Sequence, residues 1–284
     1  MTTEPSLREV IARYGLAAKR SLGQHFLLDA NLTARIVRAA GPLHGVHVIE
    51  IGPGPGGLTR ALLASDAASV TAVEVDPRAV EALRDLSAQA GRRLRVIPGD
   101  ALALDVVSLT SEPRQIVANL PYNIATPLLV RWLRQARAFE RLTLMFQQEV
   151  ADRICATPST SAYGRLTVLA QWTCQTALLL RLPPAAFVPP PKVHSAVVGL
   201  TPHAAQPDAA RFGTMERLTA AAFGQRRKML RSALKSLGGE TLLRQAGIAP
   251  DRRAETLSVE EFDRLALLVS ASEPRNKSGE PSLA

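Results

Sequence analysis

The stretch "VHVIEIGPGPGGLTRALLA" (residues 46–64) decides the fold. An apolar, β-branched run enters a glycine-rich turn, and the turn opens into a helical pattern. The same grammar recurs downstream. "SVTAVEV" (69–75) precedes "DPRAVEALRDLSAQA" (76–90), where Pro77 suits the first turn of a helix. Further short apolar runs are "LRVIPGDAL" (94–102), "RQIVANL" (114–120), "RLTLMFQ" (141–147), "TALLLRL" (176–182) and "SAVVGLT" (195–201). Runs this short and this uniformly apolar fit strands covered on both faces. Strand-helix alternation predicts an α/β fold with a parallel, doubly wound sheet.

Outward from that core the pattern changes. Residues 5–14 read as a short helix. "KRSLGQHFLLD" (19–29) reads as a loop, with Asp29 as N-cap of a helix reaching Ala40. Residues 209–270 carry helical periodicity only. The expected organisation is a sheet domain over 1–204, a small all-α domain over 205–270 and a polar, disordered tail over 271–284.

The chain has 284 residues, a formal net charge of +9 and a pI near 10.3. That excess points to a polyanionic partner such as nucleic acid. Residues 211–253 hold ten Lys/Arg against three Asp/Glu, and the segment after them is net negative, so the charge is concentrated as a binding surface requires. No secretory leader or apolar span of roughly 20 residues is visible, and the two cysteines, Cys155 and Cys174, lack metal-type spacing. The expectation is a cytoplasmic monomer without metal or membrane contact.

Gly52, Gly54 and Gly57 form a G-x-G-x-x-G turn after a strand, and Glu74 ends the next strand. The glycines admit a cofactor close to the backbone, and a carboxylate at Glu74 can accept from ribose hydroxyls. This pattern alone suits NAD or S-adenosylmethionine. Asp100, at the third strand end, can accept from an adenine amine, or can simply cap a turn. Together the three features favour an adenosine-bearing cofactor.

"NLPY" (119–122) ends the fourth strand on the same side, where open α/β sheets bind ligands. An exocyclic amine is a poor nucleophile because its lone pair is delocalised. Acceptors at the Asn119 side chain and the Leu120 carbonyl would draw it towards tetrahedral geometry. Pro121 stiffens the backbone. Tyr122 offers a stacking face worth about 1–3 kcal/mol to a base. A methyltransferase acting on an adenine amine has use for all four residues; a dehydrogenase has none.

The motifs "SLGQHFLLD", "EIGPGPGGLT", "VEVD", "GDAL", "NLPYNIATPLL", "YGRLTVLAQ", "FVPPPKVHSAVV" and the basic "FGQRRKMLRSAL" occur in the order seen in the KsgA/RsmA family of small-subunit (16S) rRNA adenine-N6,N6-dimethyltransferases. The resemblance spans about residues 15–270. It implies a Rossmann-like methyltransferase sheet whose last strand, "SAVVGLT", is reversed, and S-adenosyl-L-methionine as methyl donor. It also implies a substrate of two adjacent adenines in a 3′-terminal hairpin loop of 16S rRNA, within the small ribosomal subunit. Cofactor contacts carry over onto His25, Leu27, Gly52, Glu74, Asp100 and Asn119. Base contacts carry over onto Asn119, Leu120, Tyr122 and, from the other side, Phe187. Many members have Asn where this chain has His25, so a side-chain contact and a backbone contact there remain alternatives.

Two other functions stay open at this point: a large-subunit rRNA adenine dimethylase of the antibiotic-resistance type, and a ribosome-assembly factor with little catalysis. The basic stretch is expected to form one helix with Arg227, Arg231 and Lys235 on a shared, phosphate-gripping face, backed by Met229, Leu230, Ala233, Leu234 and Leu237.

Overall fold

A computed structural model of the chain describes residues 5–19, 22–225 and 228–272. They divide into two compact units: residues up to Cys155 with Thr173–Gln206, and Ala156–Trp172 with residues from Pro207 onward.

The first unit is a seven-stranded sheet. In chain order its elements are α1 (Leu7–Arg13), β1 (Phe26–Leu27), α2 (Ala30–Ala39), β2 (His47–Ile51), α3 (Gly57–Leu63), β3 (Ser69–Glu74), α4 (Pro77–Ala90), β4 (Leu94–Pro98), β5 (Arg114–Asn119), α5 (Tyr122–Leu133), β6 (Arg141–Gln147) and α6 (Gln148–Ile154). After an excursion into the second unit come β7 (Cys174–Leu182), β8 (Phe187–Val188) and β9 (Ser195–Pro202). The sheet order is β4-β3-β2-β5-β6-β9-β7. β9 runs antiparallel to both β6 and β7, and the remaining pairs are parallel. The expected reversal of "SAVVGLT" is therefore present. β2, β5 and β6 are buried along almost their whole length, as strands covered on both faces must be.

Local chemistry sets the helix starts. Asp29 Oδ1 accepts from the Asn31 N–H, and Asp76 Oδ1 from the Arg78 N–H with Pro77 opening α4. The loop expected over 19–29 contains a pairing that its sequence did not announce. Phe26 and Leu27 pair antiparallel with Val188 and Phe187 as a separate two-stranded ribbon.

The second unit contains α7 (Arg165–Thr173), α8 (Ala209–Gly224), α9 (Leu230–Ala233), α10 (Gly239–Gln245) and α11 (Val259–Ser272). α8 packs on α11 through Phe212, Met215 and Leu218 against Phe262, Leu265 and Val269, all buried. A first domain running unbroken through 204 is not what the packing gives. Residues 156–172 join the helical unit because their apolar groups have partners there. Tyr163 meets Phe223 with ring centroids 6.1 Å apart, Trp172 meets Phe212 at 6.1 Å, and the Ser159 N–H donates to the Glu255 carbonyl.

The single basic helix is also corrected. Met229 is extended, and the N–H groups of Leu230 and Arg231 donate to the carbonyls of Arg252 and Pro250. Those donors are thereby taken from any preceding helical turn, so α9 starts afresh and lasts four residues. A 3₁₀ turn over Lys235–Leu237 follows. Leu230 and Leu234 are buried, but Met229 is exposed, so the expected apolar stripe is only partly formed. Arg227 lies outside the described residues, as does the expected tail from residue 273; α11 continues through Ser272, past the expected end at 270.

Candidate active site

The strand ends of β2, β3 and β5 open into one cavity, continuous with solvent. It is lined by Gly52, Gly54, Glu74, Asp100, Asn119, Leu120, Pro121 and Tyr122, and from residues 22–27 by His25 and Leu27. Parallel register explains the convergence. β2 pairs with β3 on one side and β5 on the other, so residues following aligned strand positions emerge at one edge.

The glycine turn is held in left-handed backbone, with φ of +67° at Gly52, +56° at Gly54 and +90° at Gly56. Gly57 has a different reason to lack a side chain. A Cβ there would sit 2.5 Å from the Leu27 carbonyl oxygen. The turn is thus pressed against β1, which brings residues 22–27 to the cavity.

Glu74 is 4% exposed and already binds its surroundings. Oε2 accepts from the Gly54 N–H at 3.0 Å, and Oε1 accepts from Val75 and Asp76 at 2.8 Å each. Of the roughly four acceptor positions of a carboxylate, one on Oε2 is left for a ligand hydroxyl. Burial raises its pKa, outweighing the three N–H donors. Asp100 Oδ1 accepts from the Leu102 N–H at 2.9 Å and caps a turn, and the residue also lines the cavity.

Asn119 Nδ2 donates to the His25 carbonyl at 3.1 Å. A carbonyl can only accept, so the amide nitrogen is fixed on that side and Oδ1 is left for the cavity. The His25 carbonyl thus holds Asn119, and its ring has partners too: Nδ1 is 2.8 Å from the Pro189 carbonyl, and the imidazole stacks on Tyr122 with centroids 5.5 Å apart. Tyr122 is fixed at its other end by Ser195 Oγ, 2.5 Å from its hydroxyl, and burial raises its pKa.

Phe187 is placed differently from expectation. It is 2% exposed, packed in the core with Leu27, Leu182 and Val197, and does not line the cavity. β8 is paired to β1 immediately beneath the cavity residues, which buries the ring instead of presenting it. Arg231 and Lys235 are exposed on the second unit.

Two features escaped the sequence reading. Glu50 is 1% exposed at the cavity floor, accepts from Thr59 Oγ1 at 2.7 Å, and burial pushes its pKa up to about 8. The signal was a carboxylate inside an otherwise apolar strand. Asp76 is 1% exposed. Arg78 Nη2 lies 2.6 Å from its Oδ2, which holds its carboxyl well below the usual range, at about 2. Gln24 Nε2 donates to the same oxygen at 3.2 Å, and Arg78 also donates to the carbonyls of Gly15 and Ala17. This network anchors the segment leading to His25.

A seven-stranded sheet with one reversed strand, and a glycine turn beside acidic strand ends, define a class I methyltransferase. The sequence matches the family described as Ribosomal RNA adenine dimethylase over residues 15–270. A relative from Gluconobacter oxydans named Ribosomal RNA small subunit methyltransferase A is 63% identical over 268 residues, 94% of this chain and 88% of the relative. One of the same name from Paramagnetospirillum magneticum is 57% identical, covering 95% of this chain and 97% of its own. Among solved structures, a dimethyladenosine transferase from Plasmodium falciparum superposes with TM-score 0.72 at 25% identity, over 87% of this chain and 98% of that one. A 23S rRNA methyltransferase, ErmE, gives 0.65 at 28% identity, over 86% and 99%. The chain belongs to the ribosomal RNA adenine dimethylase family.

Proposed function

We propose that this chain transfers methyl groups from S-adenosyl-L-methionine to the N6 amines of adenines in small-subunit rRNA. The observation that carries the reading is the Asn119 amide. The His25 carbonyl holds its nitrogen, so its oxygen serves as a fixed acceptor at the end of β5. The targets are two adjacent adenines in a 3′-terminal hairpin loop, each dimethylated. An unpaired loop base can enter a pocket without breaking a duplex.

The cavity fits the cofactor's adenosine half. Glu74 has one acceptor position for a ribose hydroxyl, Asp100 lines the cavity near the end of β4, and the turn at Gly52 and Gly54 carries no side chain to fill the space. When bound, the cofactor supplies an electrophilic methyl group on a sulfonium. The protein's part is positioning. Asn119 Oδ1 and the Leu120 carbonyl accept from the two N–H groups of the target amine, turning its lone pair out of conjugation. Tyr122 supports the base; His25 stacks on the tyrosine ring, and Ser195 fixes its hydroxyl. The methylated ammonium is acidic enough to lose its proton to water, so no side chain with a neutral pKa is required.

The second unit holds RNA through exposed Lys228, Arg231, Lys235 and Arg253, none of which pairs with a carboxylate among the described residues. Among those residues no helix is long and apolar enough to cross a membrane. We read the protein as a cytoplasmic monomer acting on the small subunit. The test is a labelled-methyl assay on purified small and large subunits from cells lacking the gene, with the modified fragment identified by mass. Dimethyladenosines near the 3′ end of 16S rRNA are expected. Label confined to the large subunit would overturn the reading.

A further inference from the structure

α2 has one buried face, with Thr33, Ile36 and Val37, and one solvent face, with Asn31, Arg35 and Arg38. In two other helices an exposed arginine is matched by a glutamate one turn away, Glu149–Arg153 and Glu240–Arg244. Arg35 and Arg38 have no such partner among the described residues.

Arg35 lines a groove of the first unit together with Arg8 from α1 and Arg181 from β7. Three guanidinium groups there face one carboxylate, Asp29, whose Oδ1 is taken by the Asn31 N–H. Glu9, next to Arg8, is committed to the N-terminus of α1, where its Oε2 accepts from the Ser6 N–H at 2.7 Å. Arg181 has an acid nearby, Asp152, at 3.8 Å, but that carboxylate accepts from Gln148 Nε2 at 2.6 Å. Both members of this pair are largely solvated, so their attraction is weak.

The groove also contains Val188, a member of the β1–β8 ribbon, and Leu28, which follows β1. On the same ribbon Phe26 and Leu27 line the active-site cavity, and the ring of His25, which precedes Phe26, contacts the Pro189 carbonyl. The cationic groove and the cavity therefore flank one ribbon, with Asn31, Leu32 and Arg35 of α2 lining the groove.

We propose that this groove binds backbone phosphates of the rRNA strand flanking the target adenines. The methylating unit then grips RNA itself, in addition to the second unit. The inference rests on the small-subunit rRNA reading above. Guanidinium forks suit phosphate oxygens, and a partner of that charge accounts for arginines left without carboxylates. Base identity plays no part, since phosphate contacts position the RNA and do not read it.

The test compares wild type with the Arg8→Ala/Arg35→Ala/Arg181→Ala variant. Binding to a protein-free 3′ fragment of 16S rRNA and to purified small subunits is followed across a salt series. All three side chains are exposed, and unchanged binding of S-adenosylhomocysteine reports an intact fold. The expected result is a log–log salt slope on the fragment reduced by about two to three units, with affinity at low salt at least ~10-fold weaker. A triple Arg→Lys variant should recover most of the slope, because lysine also neutralises phosphate. A fragment slope equal to wild type overturns the proposal. So does a loss seen only on intact subunits, which would assign the groove to a ribosomal protein. Wild type that neither binds nor methylates small-subunit rRNA refutes the underlying reading itself, a result distinct from either.

Discussion

The strand-end cavity and the basic segment after α8 are both rich in polar groups, yet they are built in opposite ways. Around the cavity the acidic and amide side chains are held by set partners. Glu74 takes three N–H groups, Asn119 holds the His25 carbonyl, and Asp76 binds Arg78 and Gln24. Over residues 228–235 the cations stand in water, and the backbone is fixed by bonds to Pro250 and Arg252. The contrast separates two uses of polarity. A site that must orient one amine needs restrained acceptors, while a surface that holds a polyanion needs only charge at the right places.

The largest effect should come from removing the restrained acceptor. Asn119→Ala is expected to lower single-turnover methyl transfer by ~10²-fold or more, with cofactor binding largely kept and little change in melting temperature. Near-normal turnover would show that the amine is oriented by something else. Next is Glu74→Ala. Loss of the ribose acceptor should weaken S-adenosylhomocysteine binding by roughly 1.5–3 kcal/mol in calorimetry. The same change leaves the N–H groups of Gly54, Val75 and Asp76 without their acceptor, so the fold should melt earlier as well. Unaltered affinity would place the ribose elsewhere.

Glu50 sharpens the comparison through pH. Its pKa is about 8 when folded, against 4.5 for the free side chain. Between those values the folded state holds a proton that the unfolded state has lost, so this group's contribution to stability falls as pH rises through the window. Glu50→Gln should therefore match wild type near the acid end and melt higher near pH 8, by about 2–4 °C for each kcal/mol recovered. A parallel pH dependence in the two proteins would contradict the neutral carboxyl. The smallest effect is expected on the second unit. Lys228→Ala/Arg231→Ala/Lys235→Ala should lower the salt slope of rRNA binding by roughly one unit per lost phosphate contact and leave cofactor affinity alone. A steep slope that survives would remove this segment from the RNA interface.

Much of this architecture could be read in the sequence because it rests on local rules. Short β-branched runs gave the strands, and Asp29 and Pro77 marked helix starts that the structure shows. The glycine turn, Glu74, Asp100 and Asn119 meet because parallel register aligns their strand ends. What was missed depends on distant partners. The two-residue pairing of β1 with β8 joins segments about 160 positions apart, and it buries Phe187 and turns the His25 carbonyl towards Asn119. Residues 156–172 look like one more step in the alternation, but Tyr163 and Trp172 find their aromatic neighbours in α8. Helical spacing through 227–235 was real as a pattern. It was overridden where the donors of Leu230 and Arg231 met carbonyls twenty residues later.

The bond between Asn119 Nδ2 and the His25 carbonyl also bears on which purines are accepted. An asparagine free to rotate could offer either end of its amide to a base. Here rotation would bring an oxygen against an oxygen, so the group facing the cavity stays an acceptor. Adenine presents hydrogens at its 6-position, whereas guanine and hypoxanthine present a carbonyl. For those bases the reacting edge would meet Asn119 lone pair to lone pair. On the proposed reading, deamination of a target adenosine to inosine would remove the reacting amine and set a carbonyl against Asn119, so a single edited letter would escape modification.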